Sequence, residues 1–222
     1  DRPEWVEIST WNDYNEDSHL MPWRWKQDWE KQSHDRDESF LDATGYYTRD
    51  YFRIDPKFGS LEDARELVDA AHARGLYVFF DGVFGHHKGE VAASPSGRRP
   101  IDSTNPNDYG GDPSSYPGRV VDYDHPDTLA FYTEVATYWI EKLGIDGWRL
   151  DQAYQVPLPV WREIRAAVES AAAARRDAGH RWGTLGYLVA EVFSGADDIA
   201  AQALGGEADP TLDAAFDFPL RW

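Results

Sequence analysis

The chain has 222 residues, 41% of them hydrophobic, and a formal net charge of −18. That length and apolar content suffice for a core, and a surface this acidic repels phosphate backbones, which excludes nucleic acid as a partner. There is no cysteine, which removes disulfides and thiolate metal sites, and no apolar run of about 18 residues, so no membrane association through a spanning helix is expected. These totals leave compartment and oligomeric state open. Asp1 opens the chain without a Met, and Trp222 follows directly on an apolar, strand-like run, so both ends read as cut and a fragment is expected.

Residues 4–11, EWVEISTW, are compatible with a strand. Residues 12–42 are irregular and crowded with charge, and the five Trp between Trp5 and Trp29 argue for an ordered, functional loop. A helix is expected over 60–75, where Ser60 and Asp63 approximate a capping box, Leu61, Ala64, Leu67, Val68 and Ala71 make one apolar face, and Gly75 stops the helix. Residues 76–84, LYVFFDGVF, follow as a strand, and 85–120 read as a second long loop. The next helix spans 126–143, capped by Asp124 or His125, opened by Pro126 and ended by Gly144. Its face is Leu129, Tyr132, Val135, Ala136, Trp139, Ile140 and Leu143. A strand at 144–150 leads to a helix at 158–178 with Leu158, Trp161, Ile164 and Val168 on one face. A strand at 186–193, a short helix at 196–204 and a last strand at 212–218 complete the series.

Strands alternating with helices at this spacing predict an α/β fold, a parallel sheet covered by helices, either doubly wound or a barrel. No Gly-rich phosphate loop follows a strand, which speaks against the dinucleotide-binding version. No internal repeat or domain boundary interrupts the pattern. Residues 1–222 are therefore read as one domain with long inserted loops at about 12–42 and 85–120.

Ionisable residues gather at the C-terminal ends of three successive strands: Asp81 with His86 beyond it, Arg149 with Asp151, and Glu191. Each has a structural reading of its own, as turn former, ion pair or loop start. Burying one carboxylate costs several kcal/mol unless it is paired, so three at equivalent positions point to a shared site. Two carboxylates beside a cation suit glycoside cleavage, one attacking the anomeric carbon and the other protonating the leaving oxygen. A metal site built from Asp81, His86 and His87 is disfavoured, because adjacent histidines point to opposite sides of an extended chain.

Several ordered pieces resemble the α-amylase family of glycoside hydrolases. DGVFGHH (81–87), GWRLDQAYQV (147–156) and VAEVF (189–193) resemble three of its motifs, and residues 45–75 resemble the loop and helix before the first of them. The resemblance implies a (β/α)8 TIM barrel, here incomplete, with about strands 2–6 present. It implies that Asp151 is the nucleophile, that Glu191 is the general acid/base and that Arg149 holds the nucleophile ionised. Asp81 and His86 match first-motif residues, His86 contacting the reacting sugar, and Tyr46 matches the aromatic on which that sugar stacks. The period-2 alternation puts Arg149 and Asp151 in the barrel mouth and turns Trp148 and Leu150 to the helices.

The implied activity is that of a retaining glycosidase cleaving α-glucosidic bonds of starch-like glucans or maltooligosaccharides. α-Glucan transglycosylation through the same residues, and a non-catalytic amylase-fold scaffold, are the alternatives. The chemistry needs no cofactor. The resemblance also implies a structural calcium bound by an Asn where this chain has Gly85, and glycine offers no side-chain oxygen for it. The Lys-His pair of typical amylases is Tyr154-Gln155 here. That run is closer to cyclodextrin- and pullulan-degrading members, whereas Tyr47 looks more like endo-acting amylases. Nothing in the chain matches the family's fourth motif, with its third catalytic Asp, so the polypeptide alone is not expected to be an efficient enzyme.

Overall fold

Local signals at the helix ends set where the helices begin and stop. The computed structural model describes residues 48–56, 58–87, 89–109, 119–206 and 209–221. Helix α1 (Leu61–Ala73) begins with a complete capping box, in which the Asp63 N–H donates to the Ser60 hydroxyl and the Ser60 N–H donates to the Asp63 carboxylate. Helix α2 (Pro126–Leu143) is capped by His125 Nδ1, which accepts the Asp127 N–H, and Gly144 ends it in the left-handed conformation at φ 74°. Helix α3 (Leu158–Asp177) runs the predicted length and buries Trp161, Ile164 and Val168, as their spacing requires.

The face of α1 agrees with the predicted one at Val68, Ala71 and Ala64 and departs from it at the two leucines. Leu61 and Leu67 lie exposed, and the buried face is Val68, Ala71 and His72. His72 turns inward because Nε2 meets Asp146 Oδ2 at 2.8 Å and its ring stacks on Trp182 at 4.6 Å.

The main sheet joins β1 (Phe79–Gly82), β4 (Gly147–Leu150), β5 (Tyr187–Ala190) and β8 (Ala214–Ala215), in that order and all parallel. Spatial order follows chain order without a reversal, so among the described residues the sheet has no doubly wound switch point. The strands are shorter than predicted, most of all the last, which gives way to a 3₁₀ turn at Phe218–Arg221. The first predicted strand, 4–11, and the loop at 12–42 lie outside the described residues.

The segment 85–120 is not simply a loop. Its ends pair as β2 (His86–His87) and β3 (Arg119–Val120), antiparallel, with His86 opposite Val120, and Asp102 bridges to Val121. Beyond β5, α4 (Ala196–Ile199) runs into a π-helical turn and then the hairpin β6 (Gly205–Gly206) and β7 (Asp209–Pro210).

Between sheet and helices lies an aromatic core containing Phe84, Phe131, Tyr132, Trp148 and Trp161, all buried. Among the described residues each buried tryptophan spends its indole N–H on a backbone carbonyl: Trp139 on Tyr51, Trp148 on Ala136 and Trp161 on Ala153, at 2.8, 3.0 and 2.9 Å. The large rings thus add apolar area without an orphaned donor. Among the described residues no helix is long and apolar enough to cross a membrane.

Asp146, 1% exposed, fastens the N-terminal ends of the strands. Its Oδ2 accepts the Val78 N–H at 2.8 Å and meets His72, and its Oδ1 accepts the Gly183 N–H at 2.9 Å. Asp146→Ala orphans all three partners. We expect it to lower unfolding free energy by about 3–5 kcal/mol, read by urea denaturation. A loss below about 1 kcal/mol would show that the carboxylate is dispensable.

Candidate active site

The parallel register builds the site. Asp81 on β1 lies opposite Arg149 on β4, and the Asp151 N–H donates to Gly82 O at 3.0 Å. On the other side, Leu150 pairs with Ala190 and the Glu191 N–H donates to Leu150 O at 2.9 Å. Asp151 and Glu191 therefore emerge together at the ends of neighbouring strands. Alternation along β4 separates two faces: the Trp148 indole reaches α2, while Arg149 turns to the carboxylates.

Arg149 holds all three acids. Its Nη1 lies 2.8 Å from Asp81 Oδ1, 3.1 Å from Asp81 Oδ2 and 2.8 Å from Asp151 Oδ1, and its Nη2 lies 2.8 Å from Glu191 Oε1. All four side chains are at most one-fifth exposed, Arg149 8% and Glu191 20%. Behind the guanidinium stands the Phe216 ring, with 6.0 Å from Cζ to its centroid.

One cation cannot balance three buried anions, and the proton affinities show it. Burial pushes Asp81 up to about 7; Arg149 opposes this, while the charges of Asp151 and Glu191 add to it. Burial also raises Glu191, against the pull of Arg149 and of the Gln152 N–H, and its hydrogen bond to Asp151 raises it further. Burial disfavours the Arg149 cation, but the three carboxylates more than offset this and hold it charged. Asp151 Oδ2 is buried and receives no bond from an N–H or a hydroxyl of the described residues. The arrangement places a carboxylate oxygen without a competing donor beside a carboxylic acid that keeps its proton unusually high, the two sharing one guanidinium.

Two glutamines link His86 to this cluster. Its Nδ1 lies 2.7 Å from Gln155 Oε1, Gln155 Nε2 donates to Gln152 Oε1 at 3.0 Å, and the Gln152 N–H donates to Glu191 Oε2 at 3.1 Å. Gln152 adopts φ 42° and ψ 51°, and among the described residues no other non-glycine residue has positive φ. A left-handed residue directly after Asp151 was not foreseen, since no local signal marks it. Gln155 drew notice only as a departure from the family pattern. Tyr46 lies outside the described residues. His87 turns away from His86 to Asp102, with Nε2 2.8 Å from Oδ1, so Asp81, His86 and His87 have three different partners and do not form one ligand set.

The charge imbalance has a measurable consequence. Asp81 is raised on folding, so its contribution to stability is full below its ordinary pKa of 3.8 and is lost as pH climbs through about 7. Asp81→Asn removes that loss. The variant's stability relative to the parent should rise by about 2–4 kcal/mol between pH 4 and pH 8, each pKa unit being worth about 1.4 kcal/mol. Urea denaturation across that range tests it; a pH-independent difference would place the imbalance elsewhere.

The α-amylase catalytic-domain family matches residues 29–109. Cyclomaltodextrinase of a Bacillus species is 37% identical over 155 residues, covering 57% of this chain and 26% of that protein. Neopullulanase 2 of Thermoactinomyces vulgaris is 33% identical over 166 residues, covering 67% of this chain and 28% of its own length. Among solved structures, AmyP in complex with maltose superposes with a TM-score of 0.71 at 48% identity, covering 85% of this chain and 36% of that one. The chain thus spans about a quarter to a third of the proteins it resembles. Ordered motifs, parallel register and these likenesses all point to the α-amylase family of glycoside hydrolases.

Proposed function

We propose that the protein carrying this chain is a retaining glycosidase acting on α-glucosidic bonds of starch-like glucans or maltooligosaccharides. The observation that carries this reading is the sharing of Arg149 by Asp151 and Glu191. Two carboxyl groups bridged by one guanidinium stand close, which favours direct attack by one of them over a water held between them. Asp151 Oδ2 attacks the anomeric carbon and forms a glycosyl ester, while Glu191 gives its proton to the departing oxygen. Glu191, now a carboxylate, then takes a proton from water, which attacks the ester and releases Asp151. Arg149 offsets the charge of Asp151 before attack and that of Glu191 after proton transfer.

The sheet fits one wall of a (β/α)8 barrel, since its four strands follow chain order, and the site sits at their C-terminal ends, where such barrels carry their chemistry. The full domain is proposed as that barrel, with the loops at about 12–42 and 85–120 inserted in it. Asp81 and His86 serve in binding the reacting sugar, and Tyr46 serves as its stacking platform. Tyr154, three residues after Asp151, and Phe193, two after Glu191, are 50% and 60% exposed and offer apolar faces to further sugar rings. AmyP is seen with maltose and with maltotriose, which supports an oligosaccharide substrate.

In the protein carrying this chain, Asp151→Asn should lower kcat on maltooligosaccharides by about 10,000-fold or more with little change in melting temperature. Near-normal turnover would refute the nucleophile assignment. Glu191→Gln should cost about 100-fold less on aryl glucosides, whose leaving groups need no proton, than on natural glucans. Equal losses on both substrates would rule out a proton-donating role.

A further inference from the structure

Resemblance alone puts an Asn at position 85 with a structural calcium beside it, and the geometry leaves no room for that side chain. A Cβ on Gly85 would collide with both Cβ and Oε1 of Gln155. Gly85 does not have positive φ, so a glycine stands here because of close approach and not because of its backbone angles. The oxygens that remain are engaged. Gly85 O accepts the Val121 N–H at 3.2 Å, and Gln155 Oε1 accepts from His86 Nδ1 at 2.7 Å. Among the described residues no group of three or more His, Asp and Glu is placed to hold a metal. A hard cation that wants six or more oxygens does not fit this set.

We infer that an amide replaces the cation: Gln155 fastens the segment that opens at Gly85 to the turn after β4, and it fixes His86 with its proton on Nδ1. Gln155 is set by its own anchor. Gln152 Oε1 accepts from both Gln155 Nε2 and the Tyr154 hydroxyl, at 3.0 and 2.9 Å, which turns the Gln155 carbonyl oxygen toward the imidazole. His86, 4% exposed, is held from the other side by β2–β3 pairing and by the Tyr51 hydroxyl, which donates to its carbonyl at 3.3 Å. An Nδ1–H imidazole keeps Nε2 as its acceptor, so the amide decides which role the ring offers. Because the Gln152 N–H also holds Glu191, Gln155 is a positioning residue tied to the acid through one short turn. That consequence for turnover rests on the glycosidase reading; the fastening does not.

The test uses the full chain with ¹⁵N-labelled histidine, at a pH where His86 is neutral. Long-range ¹H–¹⁵N correlation distinguishes protonated from unprotonated ring nitrogens, and the His86 signals are those lost in His86→Asn. We expect Nδ1 protonated in the parent and a shift toward Nε2–H in Gln155→Ala. Gly85→Ala should reproduce that spectrum, because its methyl group expels the amide. Calcium chloride or a chelator, each at about 5 mM, should leave the parent's melting temperature unchanged within about 1 °C. Nε2–H in the parent, an unchanged tautomer in Gln155→Ala, or stabilisation by calcium would each overturn the inference. If Gly85→Ala does not fold, the Gln155→Ala spectrum decides alone. The glycosidase reading fails by a different result, turnover surviving Asp151→Asn, which leaves these spectra untouched.

Discussion

One guanidinium organises the C-terminal side of the sheet. Arg149 is nearly buried and touches an acid from each of the strands β1 and β5 as well as its own strand's Asp151. Removing it would leave three anions facing each other at low dielectric, a far larger penalty than any of the pairs is worth alone. The charge it cannot cover is expressed as raised proton affinity on Asp81 and Glu191. Structure and chemistry thus have one origin: the imbalance that makes the cluster costly also raises the proton affinity of an acid beside a carboxylate.

The opposite end of the same strands is arranged on another principle. Asp146, just before β4, satisfies two backbone N–H groups and a histidine, so its charge is fully engaged and no chemistry is left over. Asp213 does similar work beside β8, taking the Leu188 N–H and Arg165 at 2.9 and 2.8 Å. Carboxylates at the N-terminal end are saturated by fixed donors; those at the C-terminal end share a single guanidinium. The first pattern suits stability, the second reactivity.

Between the acids and the neighbouring histidine runs a turn whose backbone is unusual. Gln152 occupies the left-handed region, which costs a non-glycine residue of order 1 kcal/mol. In return its N–H meets Glu191 and its side chain meets Gln155 and Tyr154. The Ala153 N–H adds a bond to the Glu191 carbonyl at 2.9 Å, so the turn grips Glu191 by both backbone and side chain. The acid is held by peptide groups on a short, rigid segment, where lost entropy on binding is small.

What the sequence determined by itself was local. Helix α2 appears over the predicted residues because Pro126 and Gly144 act within a turn of their positions. The alternation of Arg149 and Asp151 with Trp148 and Leu150 sorts the two faces of β4 because strand geometry has period two. Ordered motifs sufficed to point to Asp81, Asp151 and Glu191, since all three sit where strands end. The tertiary structure decided the rest, through partners far apart in the chain. His72 turns inward for an Asp 74 residues away, and Arg149 meets Asp81 across 68. Gly85 looked like a lost ligand until Gln155, 69 residues from His86, was seen filling its space. Such pairings depend on which strands lie side by side and in what register, and no local pattern carries that information.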